Sequence, residues 1–262
     1  MTDITSDTKE SLDEKVAVEL LQAGVLYSHR KSKAHPRMRQ FIGAHRHEMD
    51  ILDAQATIES LEKATSFLRE AFTEGKSVLF VGTTSPAVQD VERIAKHFNQ
   101  PYVTHRWLGG TLTNFKVIRK RIEYYIDLKE KREQGELEKY TKKEQVQFMG
   151  KIGKLSRNLG GLESMDKLPD LLFIIDSQAH KTALAEAKRV GIPVVGVIDT
   201  NDDPEEITYP IIANDHARGS IRWVLQYIIE TLGDIKPAPV QDESAKNMDE
   251  NTDESTDKST SS

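Results

Sequence analysis

Two stretches of this chain gather cations where acids are missing. Between Ser28 and His47 stand His29, Arg30, Lys31, Lys33, His35, Arg37, Arg39, His45, Arg46 and His47, with no Asp or Glu among them. A run of cations without interspersed acids suits a phosphate backbone, which is held by charge and by release of its counterions. The competing reading is a solvated surface loop. The four histidines also offer imidazole nitrogens, the commonest metal ligands. They lack the helical His-x₃-His spacing and the nearby carboxylates that a zinc site would use.

The second stretch, His105-Arg106-Trp107-Leu108-Gly109-Gly110-Thr111-Leu112-Thr113-Asn114-Phe115, runs into Lys116, Arg119, Lys120 and Arg121, and residues 105–122 contain no acid. Gly109 and Gly110 permit a close turn of the backbone. Thr113 or Asn114 is placed to cap the following helix, whose first N–H groups would then face an anion. Trp107 has two readings, a platform for an exposed base or a filler of the core. Arg106, Arg119 and Arg121 are the arginines expected to meet phosphate.

Enzyme-like features compete with this picture. Val81-Gly82-Thr83-Thr84-Ser85 follows an apolar run and opens a helix, where α/β enzymes hold phosphates. It has neither the G-x-G-x-x-G pattern nor a P-loop lysine. Asp199, Asp202 and Asp203 are candidates for Mg²⁺, or for turns and a cap at Pro204. No Ser-His-Asp set or general-acid pair stands at an interpretable spacing.

The elements that must position these residues alternate along the chain. Leu12 to Gln22 has helical spacing and stops at Gly24. Met49 to Leu52 is fit for a strand, and Ala54 to Phe72 is an amphipathic helix closed by Gly75. Val78–Val81, Pro101–Val103, Leu171–Asp176 and Val194–Ile198 are short apolar runs of the kind buried on both faces of a parallel sheet. Helices are predicted at Pro86–Phe98, through Ala183, Leu184, Ala187 and Val190, and at Ala217–Leu232. Strands alternating with helices give a doubly wound α/β fold, its mainly parallel sheet covered on both faces. Asn114–Gln134 and Lys142–Asn158 break the alternation. Each has a narrow apolar seam, which predicts an antiparallel, coiled-coil-like helical hairpin, residues 114–159, projecting from the body.

Composition separates the body from its ends. Residues 233–262 hold eight acids and three lysines, and residues 1–14 hold five acids and one lysine, so the ends carry −9 and residues 15–232 are at +3 within the overall −6. The acidic C-terminal tail has almost nothing apolar and is expected to be disordered. With no cysteine, disulfides, thiolate zinc sites and a cysteine nucleophile are excluded. No apolar run approaches the ~20 residues of a membrane span. The acidic, polar start is neither a signal nor a transit peptide, so a cytoplasmic protein is expected.

The loop from His105 to Phe115, with Ile118-Arg119-Lys120-Arg121-Ile122, strongly resembles the signature of bacterial-type small-subunit ribosomal protein two. Leu20-Leu21-Gln22-Ala23-Gly24-Val25 with His29, and His35-Pro36-Arg37-Met38, resemble that family's N-terminal motif. Asn158-Leu159-Gly160-Gly161 before Leu168-Pro169-Asp170 fits, as does Gly191-Ile192-Pro193-Val194-Val195 with Asp199-Thr200-Asn201 and Asp203-Pro204. The resemblance spans about residues 15–232. Departures are Leu26-Tyr27-Ser28-His29 for His-Phe-Gly-His, Ala34-His35-Pro36 for Trp-Asn-Pro, and Ile212-Ala213-Asn214-Asp215-His216 for a Pro-Gly-Asn-Asp pattern. The resemblance implies a non-enzymatic α/β domain with a protruding hairpin, on the solvent side of the small subunit near the junction of head and body. It implies contact with ribosomal RNA and neighbouring small-subunit ribosomal proteins, and help in anchoring ribosomal protein one. No cofactor, metal, membrane or small-molecule substrate is expected. The RNA-facing set becomes Arg30, Lys31, Lys33, Arg37, Arg39, Arg46, His105, Arg106, Gly109, Gly110, Thr113, Asn114, Lys116, Arg119, Lys120 and Arg121.

Overall fold

The computed structural model describes residues 16–233, so the predicted disorder of the acidic tail, the whole N-terminal segment 1–14 and residues 12–15 of the first predicted helix lie outside the described residues. Helix α1 covers residues 16–23. A five-stranded sheet carries the core. Its strands are β4 (Val78–Val81), β5 (Tyr102–Val103), β6 (Leu171–Ile175), β7 (Val194–Ile198) and β8 (Tyr209–Ile212), all parallel in the order β5-β4-β6-β7-β8. Every residue of β4, β6 and β7 is buried, which is why these runs are continuously apolar rather than alternating. In register, Phe80 lies beside Phe173 with ring centroids 5.2 Å apart.

Helices α2 (Ala54–Thr73), α3 (Val88–His97), α6 (Lys181–Val190) and α7 (Arg218–Leu232) cover the sheet. The strand order reverses between β4 and β6, so right-handed crossovers place α3 and α6 on opposite faces. Strand β8 escapes the sequence pattern because Pro210 interrupts it. A proline costs a ladder donor, and β8 tolerates one because it pairs only with β7, at the sheet edge.

The basic segment 28–47 folds rather than looping. Strands β1 (Tyr27–Arg30), β3 (Met49–Leu52) and β2 (Ile42–Arg46) form an antiparallel sheet in that spatial order. Strand β3 is the run Met49–Leu52 expected from the sequence, whereas β1 buries one residue and β2 none, so those two had no alternation to read. Met38, fully buried in the 3₁₀ turn Pro36–Phe41, anchors the segment. The His35 N–H donates to the Thr200 carbonyl at 2.7 Å, tying the segment to the end of β7.

Helices α4 (Phe115–Glu133) and α5 (Lys142–Leu159) form the hairpin. Ile118, Ile122, Tyr125 and Leu128 of α4 and Ile152 and Leu159 of α5 are buried, whereas Val146 and Met149 stay exposed. Gly135, at φ 73°, makes the turn, and Thr141 with Glu144 forms a capping box that starts α5. The base of the hairpin is pinned twice. The Arg119 guanidinium binds Asp166 at 2.6 Å, Glu123 at 3.1 Å and the Met165 carbonyl at 3.0 Å. Gly161 lies so close to β5 that a Cβ there would stand 2.2 Å from the Tyr102 carbonyl oxygen.

This contact predicts opposite outcomes for two glycines. Gly161→Ala overpacks a backbone contact and should destabilise by about 1–3 kcal/mol. Gly153→Ala, whose Cβ would meet nothing within 4 Å, should leave stability unchanged or raise it by up to about 1 kcal/mol. Urea unfolding midpoints of the two variants decide the matter; equal midpoints would show that the hairpin base is not held by close approach at Gly161.

Candidate nucleic-acid interface

The His105–Asn114 loop is organised by one side chain from the far end of the chain. Glu186 of α6 accepts hydrogen bonds at Oε1 from Gly110 N (2.8 Å) and Trp107 Nε1 (3.1 Å). Its Oε2 accepts from Leu112 N (3.0 Å), Thr113 N (3.2 Å) and Thr113 Oγ1 (3.2 Å). Burial by itself would push this carboxyl up. The donors from Gly110, Trp107, Leu112 and Thr113 more than offset that, and its pKa lies below the ordinary 4.5. The N–H groups of the loop itself, ahead of α4, thus meet the protein's own carboxylate. Gly110, at φ 89°, adopts the left-handed turn that lets the backbone wrap it. Neither Thr113 nor Asn114 caps α4 through its side chain: Asn114 occupies the N-cap without a side-chain hydrogen bond, and Thr113 is turned to Glu186. Trp107 packs against the core, as its bland reading held.

Glu186 was missed because an acid in a helix usually faces water. The available signal was its position, three residues after Ala183 and one before Ala187, on the inward face of α6. An acid there needs donors.

With the loop fixed, the cations point outward. His105, Arg106, Lys116, Lys120 and Arg121 are exposed and have no ion-pair partner among the described residues. Gly109 and Asn114 are exposed beside them. Arg119, by contrast, is spent on the hairpin clamp. In the small sheet, Arg30, Lys31, Lys33, Arg39 and Arg46 are exposed and likewise unpaired among the described residues. Arg37 is bound to Asp203 at 2.6 Å and to Glu205 at 3.1 Å.

The four histidines of the basic segment do not converge. His45 bonds Asp50 at 2.6 Å, and His35 lies 4.0 Å from Asp203. His29 turns to the sheet end, where its Nδ1 is 3.0 Å from Asp199 and its ring meets that of His216 edge-on at 4.3 Å. Ligand atoms of His29, Asp199 and His216 lie within 4.8 Å of one another, as do those of Asp176, Asp215 and His216; the two groups share His216. Only His29 and Asp199 were singled out in the sequence; the rest arrive from strand ends remote in the chain. Asp215 is pushed up by burial and by the carboxylates of Asp199, Asp202 and Asp176. His216, hydrogen-bonded to it, is raised to about 9 and stays protonated at neutral pH.

The enzyme-like features are used internally. At the switch point between β4 and β6, His180 Nε2 accepts from Thr83 N at 3.2 Å while its Nδ1 donates to the Asp176 carbonyl at 2.8 Å. The loop amide that would meet a phosphate there is occupied by a buried imidazole. Asp202 Oδ2 accepts from Asp199 N at 3.0 Å, and Asp203 caps the turn at Pro204, so both make turns.

The chain is thus a doubly wound α/β body with His180 at its switch point, an exposed basic sheet and a basic-footed hairpin. The family model for ribosomal protein S2 matches residues 20–234. The small ribosomal subunit protein uS2 of Coprothermobacter proteolyticus is 45% identical over 214 residues, covering 82% of this chain and 80% of that protein. The proteins of the same name from Dictyoglomus thermophilum and Dehalococcoides mccartyi are 41% and 37% identical, each over 82% of this chain and 87% of their own length. The chain belongs to the ribosomal protein S2 family, whose members are structural rather than catalytic.

Glu186→Gln should cost at least about 2 kcal/mol, because an amide cannot accept from all these donors as a carboxylate does. For a domain of this size that lowers Tm by about 4–8 °C. The sign of the pH dependence follows from the lowered pKa. Glu186's contribution is present above its ordinary pKa and lost as pH falls through the folded value, so the wild type should lose stability on acidification more steeply than the variant. Parallel pH–stability curves would refute the carboxylate's role.

Proposed function

We propose that the chain is a structural constituent of the small ribosomal subunit in the cytoplasm, gripping ribosomal RNA with two cationic surfaces. One is the loop and foot of α4, with His105, Arg106, Gly109, Gly110, Thr113, Asn114, Lys116, Lys120 and Arg121. The other is the small sheet, with Arg30, Lys31, Lys33, Arg39 and Arg46. The observation that carries this reading is the set of exposed cations, without ion-pair partners among the described residues, on and beside a loop tied down by Glu186. Charge placed on fixed backbone reads the shape and phosphates of RNA rather than base edges. Arg37 and Arg119, bound to acids within the chain, position the two surfaces and add charge at their margins. The hairpin serves as a coiled-coil arm toward neighbouring ribosomal proteins. Support for anchoring ribosomal protein one comes from the family resemblance alone.

Sedimentation through sucrose gradients tests this reading. A tagged copy should travel with small subunits and translating ribosomes at one copy each. A copy confined to precursor particles would make it an assembly factor, and one left at the top of the gradient would end the ribosomal placement. Changing Arg106, Lys116, Lys120 and Arg121 together to Ala should weaken association and flatten its salt dependence. If each meets one phosphate, the slope of log K against log salt should fall by about 3. Particles lacking the chain should also lose ribosomal protein one; full retention would remove that partner.

A further inference from the structure

A cleft of about 740 Å³ separates the hairpin from the body, with the Tyr102–His105 segment on one side and α4 and α5 on the other. That volume falls in the roughly 300–1,000 Å³ range of sites that enclose a small organic group. Its charges are unbalanced in a particular way. The two carboxylates lining it are already engaged, Glu163 with Lys129 at 2.9 Å and Glu92 with Lys96 at 2.6 Å. Arg157 and His105 have no ion-pair partner among the described residues, and the ion pair of Arg132 is a loose one to its neighbour Glu133 at 3.8 Å. What remains uncompensated is cationic.

The hairpin wall of the cleft is bare at Gly153, where a Cβ would meet nothing within 4 Å. A glycine inside a helix costs stability, and no contact among the described residues offsets that cost. Without a Cβ, a helix can be approached closely by another backbone. On the body side, the half-buried Tyr102 offers an aromatic surface, and His105 joins the cleft to Arg106 and the exposed cations beyond it.

We infer that this cleft receives an unpaired nucleotide of the ribosomal RNA, its phosphate held by Arg132 and Arg157 and its sugar and base set between Gly153 and Tyr102. The inference rests on the RNA-binding reading above and names a second, enclosed point of contact. An acidic peptide would satisfy the same arginines. RNA is favoured because the cleft continues the cationic surface through His105 and offers an aromatic side chain on which an unstacked base can lie.

The test uses small subunits reconstituted with wild-type, Gly153→Leu or Arg157→Ala protein, probed at nucleotide resolution with reagents for exposed bases and 2′-hydroxyls. Both positions are exposed, so both variants should keep their fold, and thermal melting checks this. The wild type should protect one or two adjacent nucleotides whose reactivity rises several-fold with either variant, while the rest of the footprint is unchanged. Identical footprints for wild type and variants would overturn the cleft assignment and leave the RNA reading standing. No footprint from the wild type would remove both. The chain has no cysteine, so Gly153→Cys carries a photo-crosslinker at a single point. A crosslink to RNA supports the inference, and one to a protein alone overturns it in favour of a peptide occupant.

Discussion

The carboxylate of Glu186 is the constraint on which the functional surface depends. Five N–H and O–H donors from Trp107, Gly110, Leu112 and Thr113 converge on its two oxygens. Without an internal acceptor, a loop this rich in donors and cations would leave those groups to water and to whatever anion came near. Supplying the anion from α6 satisfies the backbone, fixes the turn at Gly110 and starts α4 at a defined point. The foot of the hairpin and the cations along it inherit their direction from that point.

The same logic runs through the molecule. The buried charged side chains among the described residues are acids, namely Asp50, Asp90, Asp176, Glu186, Asp199, Asp202 and Asp215, and no Lys or Arg is buried with them. Carboxylates accept from several backbone and hydroxyl donors at once, which suits them to knitting loops together, as Asp199 and Asp202 do at the end of β7. The consequence for function is electrostatic. A body whose net charge is only slightly positive shows a much more cationic exterior, because a share of its negative charge is enclosed. Fold alone would not have given this role, since the same parallel sheet elsewhere holds nucleotides at its switch point. Here His180 fills that place.

Most of the large sheet was legible because burial on both faces leaves an unmistakable mark. The runs at Val78, Leu171 and Val194 admit no polar residue, and the helices between them keep a clear inward stripe. Strands β1, β2 and β8 were not legible. Strand β8 carries a proline at the edge, while β1 and β2 bury so little that their register is set by pairing with β3 rather than by a hydrophobic pattern. The cationic loop could be located from its lack of acids, but not the carboxylate that holds it, because Glu186 lies more than seventy residues further along the chain.

The sequence by itself determined the α/β class, the hairpin and the positions of the two cationic segments, since all three follow from local composition and periodicity. Only the tertiary structure decided which cations are free. Arg37 and Arg119 meet acids brought from Asp203, Glu205 and Asp166, whereas Arg106, Lys116, Lys120 and Arg121 have none among the described residues. Charge is a property of the residue, but availability depends on partners that the fold brings from distant parts of the chain.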